Sequence, residues 1–280
     1  MDWLTGHKLP LGHWIENVVN WLIANGSSFF DAVSWLLEGV IMGLVGVLNA
    51  FPPLALVAIV GVFAWWLQRR VVLTIFVVAS LLLILNLGYW REMLDTLVMV
   101  LMATFLSVLI GIPIGIAAAH RPWMYQFLRP ILDLMQTIPT FVYLIPTLIL
   151  FGLGVVPGLI STIIFAIPAP IRLTYLGISK VPGELLEAGK AFGATPMKLL
   201  FRVELPAAMP SITAGVTQCI MLSLSMVVVA ALVGADGLGK PVVRALNTVN
   251  VSQGFEAGLA IVLLAIILDR LCRRPGASEE

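Results

Sequence analysis

Charged residues are scarce in this 280-residue sequence: Asp, Glu, Lys and Arg make up 11% of it, whereas 60% of the residues are hydrophobic. A soluble domain of this size needs roughly a quarter of its residues charged to cover its surface. The formal net charge of +1 also argues against nucleic acid as a partner, because no large basic surface is expected. The composition therefore excludes an ordinary soluble protein and indicates a protein of the lipid bilayer.

Residues typical of metal sites and hydrolytic active sites are also few. Cys219 and Cys272 lie in or beside apolar runs, so we expect small buried side chains with neither a disulfide nor a metal. The three histidines are far apart, and the chain has neither His-Glu-x-x-His nor Gly-x-Ser-x-Gly, the signatures of zinc hydrolases and serine hydrolases. We expect no catalytic residue and no cofactor on this chain.

Residues 1–22 lack the basic region and uninterrupted apolar run of a cleavable signal peptide. Trp14, Val18 and Trp21 recur at helical spacing among polar residues, which predicts an amphipathic helix at the membrane surface. Residues 29–48 are more apolar but include acidic residues and glycines. We favour a second interfacial helix there over a membrane span.

Seven stretches are long and apolar enough, or nearly so, to cross about 30 Å of hydrocarbon, which takes about 20 residues. They lie at about 53–68, 71–89, 94–119, 133–153, 156–178, 208–233 and 255–271. The sequence therefore predicts an all-α polytopic membrane protein with about seven transmembrane helices. We divide it into amino-terminal helices (1–50), two accessory spans (51–90), a core (91–273) and a tail (274–280).

The distribution of basic residues predicts the orientation, since cytoplasmic loops are enriched in Lys and Arg. If Arg69 and Arg70 face the cytoplasm, most of the 16 Lys and Arg residues lie on that side. The amino terminus is then outside and the carboxyl terminus inside a bacterial cytoplasmic membrane.

The central parts of the core spans contain no Asp, Glu, Lys or Arg. The charge-free stretches are 97–119, 134–171, 205–235 and 257–268. A proton-driven pump usually keeps an ionisable residue at this depth, at a cost of about 2.5 to 3.5 kcal/mol. A secondary transporter using sodium needs only carbonyl and hydroxyl groups and stays a less favoured alternative. If this chain moves a solute, we expect another subunit to supply the energy.

The segment GADGLGKPV, residues 234–242, superficially matches a phosphate-binding loop because Gly234 is followed by Gly239 and Lys240 at the required spacing. Such a loop needs Ser or Thr after the lysine to hold magnesium, but Pro241 stands there. A long apolar helix precedes the segment where a strand is needed, and the predicted orientation places it outside the cell. We therefore exclude ATP binding here.

The same glycines predict a different structure. Gly234, Gly237 and Gly239 are expected to break the sixth span, because glycine adopts backbone conformations that end helices. Residues 236–250 then fold back on the outer face. We hypothesise that this segment, here called the outer loop, is part of a gate.

The longest cytoplasmic loop, VPGELLEAGKAFGATPMKLLFRVELP, spans residues 181–206 and is here called the docking loop. Pro182 favours a helix start just after it, and Gly193 favours a left-handed helix end. Thr195 and Pro196 suit the cap and first position of a second short helix. Apolar residues on both helices predict a helix-turn-helix that fills a groove on a partner.

Part of this loop resembles the EAA motif of membrane subunits in binding-protein-dependent ABC importers. The matching residues are Glu187-Ala188-Gly189, Gly193 and, after nine intervening residues, Val203-Glu204-Leu205-Pro206. Gly189 stands where Ala is usual and Val203 where Ile is common. The resemblance implies a coupling helix that docks into a cytoplasmic ATPase, which binds ATP and magnesium. It implies this ATPase-coupling role for Glu187, Ala188, Gly189, Gly193, Ala194, Leu205 and Pro206.

Four further segments are similar to the quaternary-amine permeases: QTIPTFVYLIP (136–146), IPAPIRLTYLGI (167–178), VVVAALVGADGLG (227–239) and LAIILDR (264–270). The resemblance implies import of glycine betaine, proline betaine, carnitine or choline. It implies a five-helix permease core, two ATPase copies, an extracytoplasmic solute-binding protein and a second permease copy, which we expect to form a homodimer. Another small polar solute, such as an amino acid, is the alternative.

Polar and aromatic residues in the fourth and sixth spans are candidates for the solute path. Pro139 and Pro146 are expected to loosen the fourth span and free backbone carbonyls there. Lipid contact and helix packing explain the same residues equally well. The candidates are Gln136, Thr137, Phe141, Tyr143, Gln218 and Ser223.

Overall fold

The computed structural model describes residues 11–272, which contain helices and no strand. The predicted tail at 274–280 lies outside the described residues. The α-helices are α1 (Leu11–Asn49), α2 (Pro53–Gln68), α3 (Val71–Asn86), α4 (Trp90–His120), α5 (Pro122–Thr137), α6 (Leu144–Phe151), α7 (Val155–Ala166), α8 (Pro168–Ser179), α9 (Gly183–Ala191), α10 (Pro196–Leu199), α11 (Leu205–Ala230), α12 (Gly239–Thr248) and α13 (Val251–Cys272).

Five helical stretches of the described residues are long and apolar enough to cross a membrane: Gly12–Asn49, Trp90–His120, Val155–Ser179, Pro196–Val233 and Val251–Cys272. The bent pair formed by α5 and Thr140–Phe151 is a sixth candidate. Helices α2 and α3 have 16 residues each and so rise about 24 Å, less than the hydrocarbon thickness. The all-α, multi-span architecture is confirmed, although the straight spans differ from those predicted.

The amino-terminal region forms one helix, α1, of 39 residues. The predicted amino-terminal helical region is present as one continuous helix, because no proline interrupts residues 11–49 and the scattered glycines do not end the helix. Pro52 and Pro53 follow its end. The helix packs on the core through the buried Ile41 and through Phe30, whose ring meets that of Phe151 edge-on at 5.2 Å.

The fourth predicted span, 133–153, is not a single helix. Helix α5 and the stretch Thr140–Phe151 are bent by 106°. The bend lies at Ile138, whose ψ of 131° is extended, because a residue that precedes proline avoids the helical region. Pro139 therefore breaks this span rather than merely loosening it.

Three helices of the core, α4, α8 and α11, pack closely on one another. Small residues permit this contact, as is usual between membrane helices. A Cβ atom on Gly115 would lie 2.7 Å from the backbone oxygen of Ile171, and one on Gly177 would lie 2.8 Å from the Ser211 Cβ. The core therefore leaves no room for side chains at these glycines, and it holds the docking loop at one end and the outer loop at the other.

Candidate functional site: docking loop and solute path

The first helix of the docking loop, α9, ends in a Schellman motif. Gly193 has a φ of 73°, its N–H donates to the Lys190 oxygen at 2.9 Å, and the Ala194 N–H donates to the Gly189 oxygen at 3.1 Å. This pair of bonds satisfies carbonyl groups that the helix end would leave open. The predicted left-handed end at Gly193 is present.

The second helix of the docking loop begins as predicted but does not end within the loop. The Thr195 hydroxyl accepts a hydrogen bond from the Lys198 N–H at 3.4 Å, and Pro196 is the first helical residue. A π-helical turn, Leu200–Glu204, then joins α10 to α11. Because Pro206 has no N–H to donate, the turn widens there instead of stopping. The separate short helix is a wrong prediction: the docking loop runs directly into a membrane span.

Gly189 allows the two parts of the docking loop to pack together. A Cβ atom at this position would lie 2.6 Å from Cδ1 of Leu199, and Leu199 is buried. An alanine here would therefore force the leucine side chain to move. The structure gives a reason for glycine where alanine is usual in the motif.

The outer surface of the docking loop is open. Glu187 and Ala188 are exposed, and two large apolar side chains beside them, Phe192 and Met197, are 93% and 65% exposed. Exposed apolar groups of this size are typical of a surface that contacts another protein or the membrane. The loop thus combines a rigid, capped backbone with an uncovered apolar face.

A contact that sequence reasoning missed links the docking loop to α4. The Glu204 carboxylate is buried, and its Oε2 lies 2.8 Å from Nε2 of His120. Nδ1 of the same ring lies 2.9 Å from the Ile116 oxygen. A histidine at the end of one predicted span and a glutamate before Leu205-Pro206 were the only signals, and nothing in the sequence pairs them.

The outer loop folds back across the opposite ends of the helices. Gly234 and Gly237 have φ values of 90° and 121°, and a Cβ atom on Gly239 would lie 2.7 Å from the Val227 oxygen. The Leu238 N–H donates to the Thr96 hydroxyl at 2.8 Å. The three glycines are therefore needed for this close approach, as the sequence suggested.

The phosphate-loop resemblance has no structural counterpart. A helix, α11, and a short 3-10 turn lead into the segment, and Lys240 forms an ion pair with Asp236. This lysine is thus engaged within the outer loop.

The candidate path residues have different surroundings. Gln218, Phe141 and Thr137 are exposed on the surface of this chain, and the Thr137 hydroxyl donates to the Leu134 oxygen at 3.1 Å. Gln136 is partly exposed, and the Tyr143 hydroxyl donates to the Met135 oxygen. A path lined by the exposed residues therefore needs a second surface opposite them.

Ser223 has no exposed surface. It lies between α11 and α4, where its hydroxyl and those of Thr104 and Ser107 surround the thiol of Cys219. This position between two packed helices fits helix packing, the alternative explanation for Ser223.

A broken span, a charge-free helical core and a projecting loop with an uncovered apolar face define a helical membrane transport subunit. The family model for binding-protein-dependent transport system inner membrane components matches residues 111–273. The chain belongs to this family. It is a multi-pass inner-membrane permease, a translocation subunit of the kind that works with a separate ATPase and a solute-binding protein.

Relatives match over almost the whole chain. The glycine betaine transport system permease protein OpuAB of Bacillus subtilis is 45% identical over 264 residues, covering 94% of this chain and 93% of that protein. The glycine betaine/proline betaine transport system permease protein ProW of Escherichia coli is 41% identical over 272 residues, covering 96% of this chain and 77% of that one.

A solved structure shares the fold. It is described as inward facing conformations of the MetNI methionine ABC transporter, and the match covers 64% of this chain and 94% of that chain. The TM-score is 0.56 at 25% identity. The resemblance to ABC importer permeases is confirmed.

Proposed function

We propose that this chain is the permease subunit of an ATP-driven importer for a quaternary ammonium solute of the glycine betaine or choline type. The observation that carries the proposal is the 45% identity over 94% of the chain to a glycine betaine permease. The charge-free spans support it, because a trimethylammonium group cannot donate hydrogen bonds and is attracted to aromatic faces.

The docking loop is the proposed ATPase contact. Glu187, Ala188, Gly189, Gly193 and Ala194 present the surface that enters a cleft of the ATPase, which binds ATP and magnesium. The exposed Phe192 and Met197 add apolar area to the same contact.

The docking loop connects to the membrane through continuous helix. Leu205 and Pro206 continue the loop into α11 without a break, and the pair of Glu204 and His120 ties it to α4. Movement of the docked loop therefore shifts two core helices together, which is what alternating access requires.

The solute path is proposed to lie between two copies of this chain, each with its own ATPase. The exposed Thr137, Phe141 and Gln218 supply aromatic and uncharged polar groups, and Gln136 and Tyr143 are partly exposed. Because this chain has one core, a homodimer is the simplest assembly. The outer loop closes the path where a solute-binding protein delivers the solute.

The test is uptake by proteoliposomes that contain this chain, its ATPase and its binding protein. We expect ATP-dependent uptake of radiolabelled glycine betaine or choline and none of histidine. Uptake of histidine alone would favour an amino-acid importer. Solute-specific flux through the chain without its ATPase would favour a secondary transporter.

A further inference from the structure

A charged pocket lies at the end of the core that carries the outer loop. It has a volume of about 630 Å³ and opens between the end of α1, the start of α4 and the start of α12. Sites for small solutes have volumes of about 300 to 1,000 Å³. We call it the outer pocket; its aromatic and charged lining residues are Tyr89, Arg91, Glu92, Asp95, Asp236, Lys240 and Arg244.

The wall formed by the start of α4 carries two acidic residues, Glu92 and Asp95, and one basic residue, Arg91, so its excess carboxylate suits a cation. Tyr89 and Glu92 both line this wall, and Asp95 is one helical turn beyond Glu92 on the same wall. An aromatic ring beside carboxylates attracts a quaternary ammonium group, which needs no hydrogen-bond acceptor.

The facing wall, formed by α12, suits an anion. Lys240 and Arg244 are one helical turn apart, and both line the pocket. Lys240 is paired with Asp236, whereas Arg244 is exposed. A guanidinium group binds a carboxylate through two parallel hydrogen bonds, so Arg244 is the better placed of the two.

The lining as a whole is electrically balanced. It contains as many acidic as basic residues: Glu92, Asp95 and Asp236 against Arg91, Lys240 and Arg244. A neutral solute with separated charges matches this lining better than a simple cation or anion does. Asp95 is also the last charged residue before the charge-free stretch 97–119, so the pocket stands at the entrance to the uncharged core.

We propose that the outer pocket is a reception site for a zwitterionic trimethylammonium carboxylate. The solute's carboxylate faces Arg244, and its ammonium group faces Tyr89 and Asp95. This inference rests on the proposed function, and it adds a site on the permease itself to whatever site the binding protein supplies.

The test uses the full chain in lipid nanodiscs without the binding protein, so that any binding is to the permease. Three probes are titrated, and saturation transfer from protein to their methyl protons is measured by NMR. Glycine betaine carries both charges, choline carries only the cation, and 3,3-dimethylbutanoate is the shape of betaine with only the anion. We expect betaine to bind most tightly, with a Kd about tenfold below that of either half-charged probe.

Two variants test the two walls of the outer pocket separately. Arg244→Gln is expected to weaken betaine and dimethylbutanoate about tenfold and leave choline unchanged. Asp95→Asn is expected to weaken betaine and choline and leave dimethylbutanoate unchanged. The control, Arg129→Gln, removes an exposed arginine of α5 far along the chain from the pocket and is expected to change none of the three.

Equal binding of the three probes by the unaltered chain, or betaine binding that neither variant weakens, would overturn the proposal. So would no binding of betaine at all. These outcomes are distinct from failure of the proposed function, which is decided by uptake in proteoliposomes with the ATPase and binding protein. If betaine is taken up but these binding effects are absent, the reception site is excluded and the proposed importer function stands.

Discussion

The buried carboxylate of Glu204 faces the imidazole of His120 across the junction of the docking loop with the core, with Oε2 and Nε2 2.8 Å apart. The other ring nitrogen faces the Ile116 oxygen at 2.9 Å, which can only accept a hydrogen bond. Both nitrogens of His120 thus face oxygen atoms. The ring lies between α4 and the last residue of the π-helical turn.

We expect this pair to transmit movement of the docking loop. His120→Ala leaves the buried Glu204 without its neighbour, and ATP-driven uptake should fall about tenfold, within the 5- to 150-fold typical of coupling between sites. ATPase binding should persist, because the exposed loop surface is intact. The measurement is uptake per ATP hydrolysed. The control is Asp133→Asn, which removes a partly exposed ion pair with Arg172 that contributes little.

Uptake per ATP that stays unchanged in His120→Ala would show that the contact is only structural. A fall in both ATPase binding and uptake would place the effect on the docking surface instead.

The surface of the docking loop should decide whether the ATPase binds. Changing Glu187→Ala and Gly193→Ala together removes an exposed carboxylate and strains a backbone with φ of 73° by about 1 to 2 kcal/mol. Uptake should be lost while the amount of protein in the membrane stays the same. Copurification with the ATPase is the measurement.

Gly183→Ala is the matched control for that variant. It lies in the same loop, has no positive φ, and an added Cβ meets nothing within 4 Å. It should retain binding and uptake. Unchanged uptake by the double variant would remove the assignment of the loop.

Much of this architecture was predictable because it depends on local signals. The cap at Gly193 and the fold-back after Gly234 follow from glycine's access to positive φ. The pairing of Glu204 with His120 was not predictable, because these residues are 84 positions apart and only their side-chain geometry brings them together. The π-helical turn and the 106° bend depend on how each proline is accommodated. A proline in the sequence signals a disturbance without saying which kind.

The outer loop should open when its contact with α4 is disturbed. A Cβ on Gly237 would lie 2.5 Å from the Thr96 hydroxyl oxygen, and its φ is 121°, so Gly237→Ala cannot keep this contact. Leu238 is completely buried. A cysteine placed there should react with an external thiol reagent slowly in the unaltered loop and faster with Gly237→Ala.

Gly258→Ala is the control for this change, because an added Cβ there meets nothing within 4 Å. A cysteine at Leu238 that stays unreactive in every state of the working transporter would contradict the gate assignment.

The last prediction concerns the path of α1, which at 39 residues rises about 58 Å, nearly twice the hydrocarbon thickness. Its end at Asn49 lines the outer pocket, yet Phe30 contacts Phe151, at the predicted outer end of the broken span. Two points about 28 Å apart along the helix thus both meet outer ends of core elements. The part of α1 from Phe30 to Asn49 is therefore expected to run along the outer face, which favours the predicted orientation.

With Cys219 and Cys272 replaced, a cysteine at the exposed Asp31 should react with an impermeant thiol reagent added outside, whereas one at Glu184 should react only from inside. Reaction of the Asp31 position from inside alone would mean that α1 crosses the membrane and that the amino terminus is cytoplasmic.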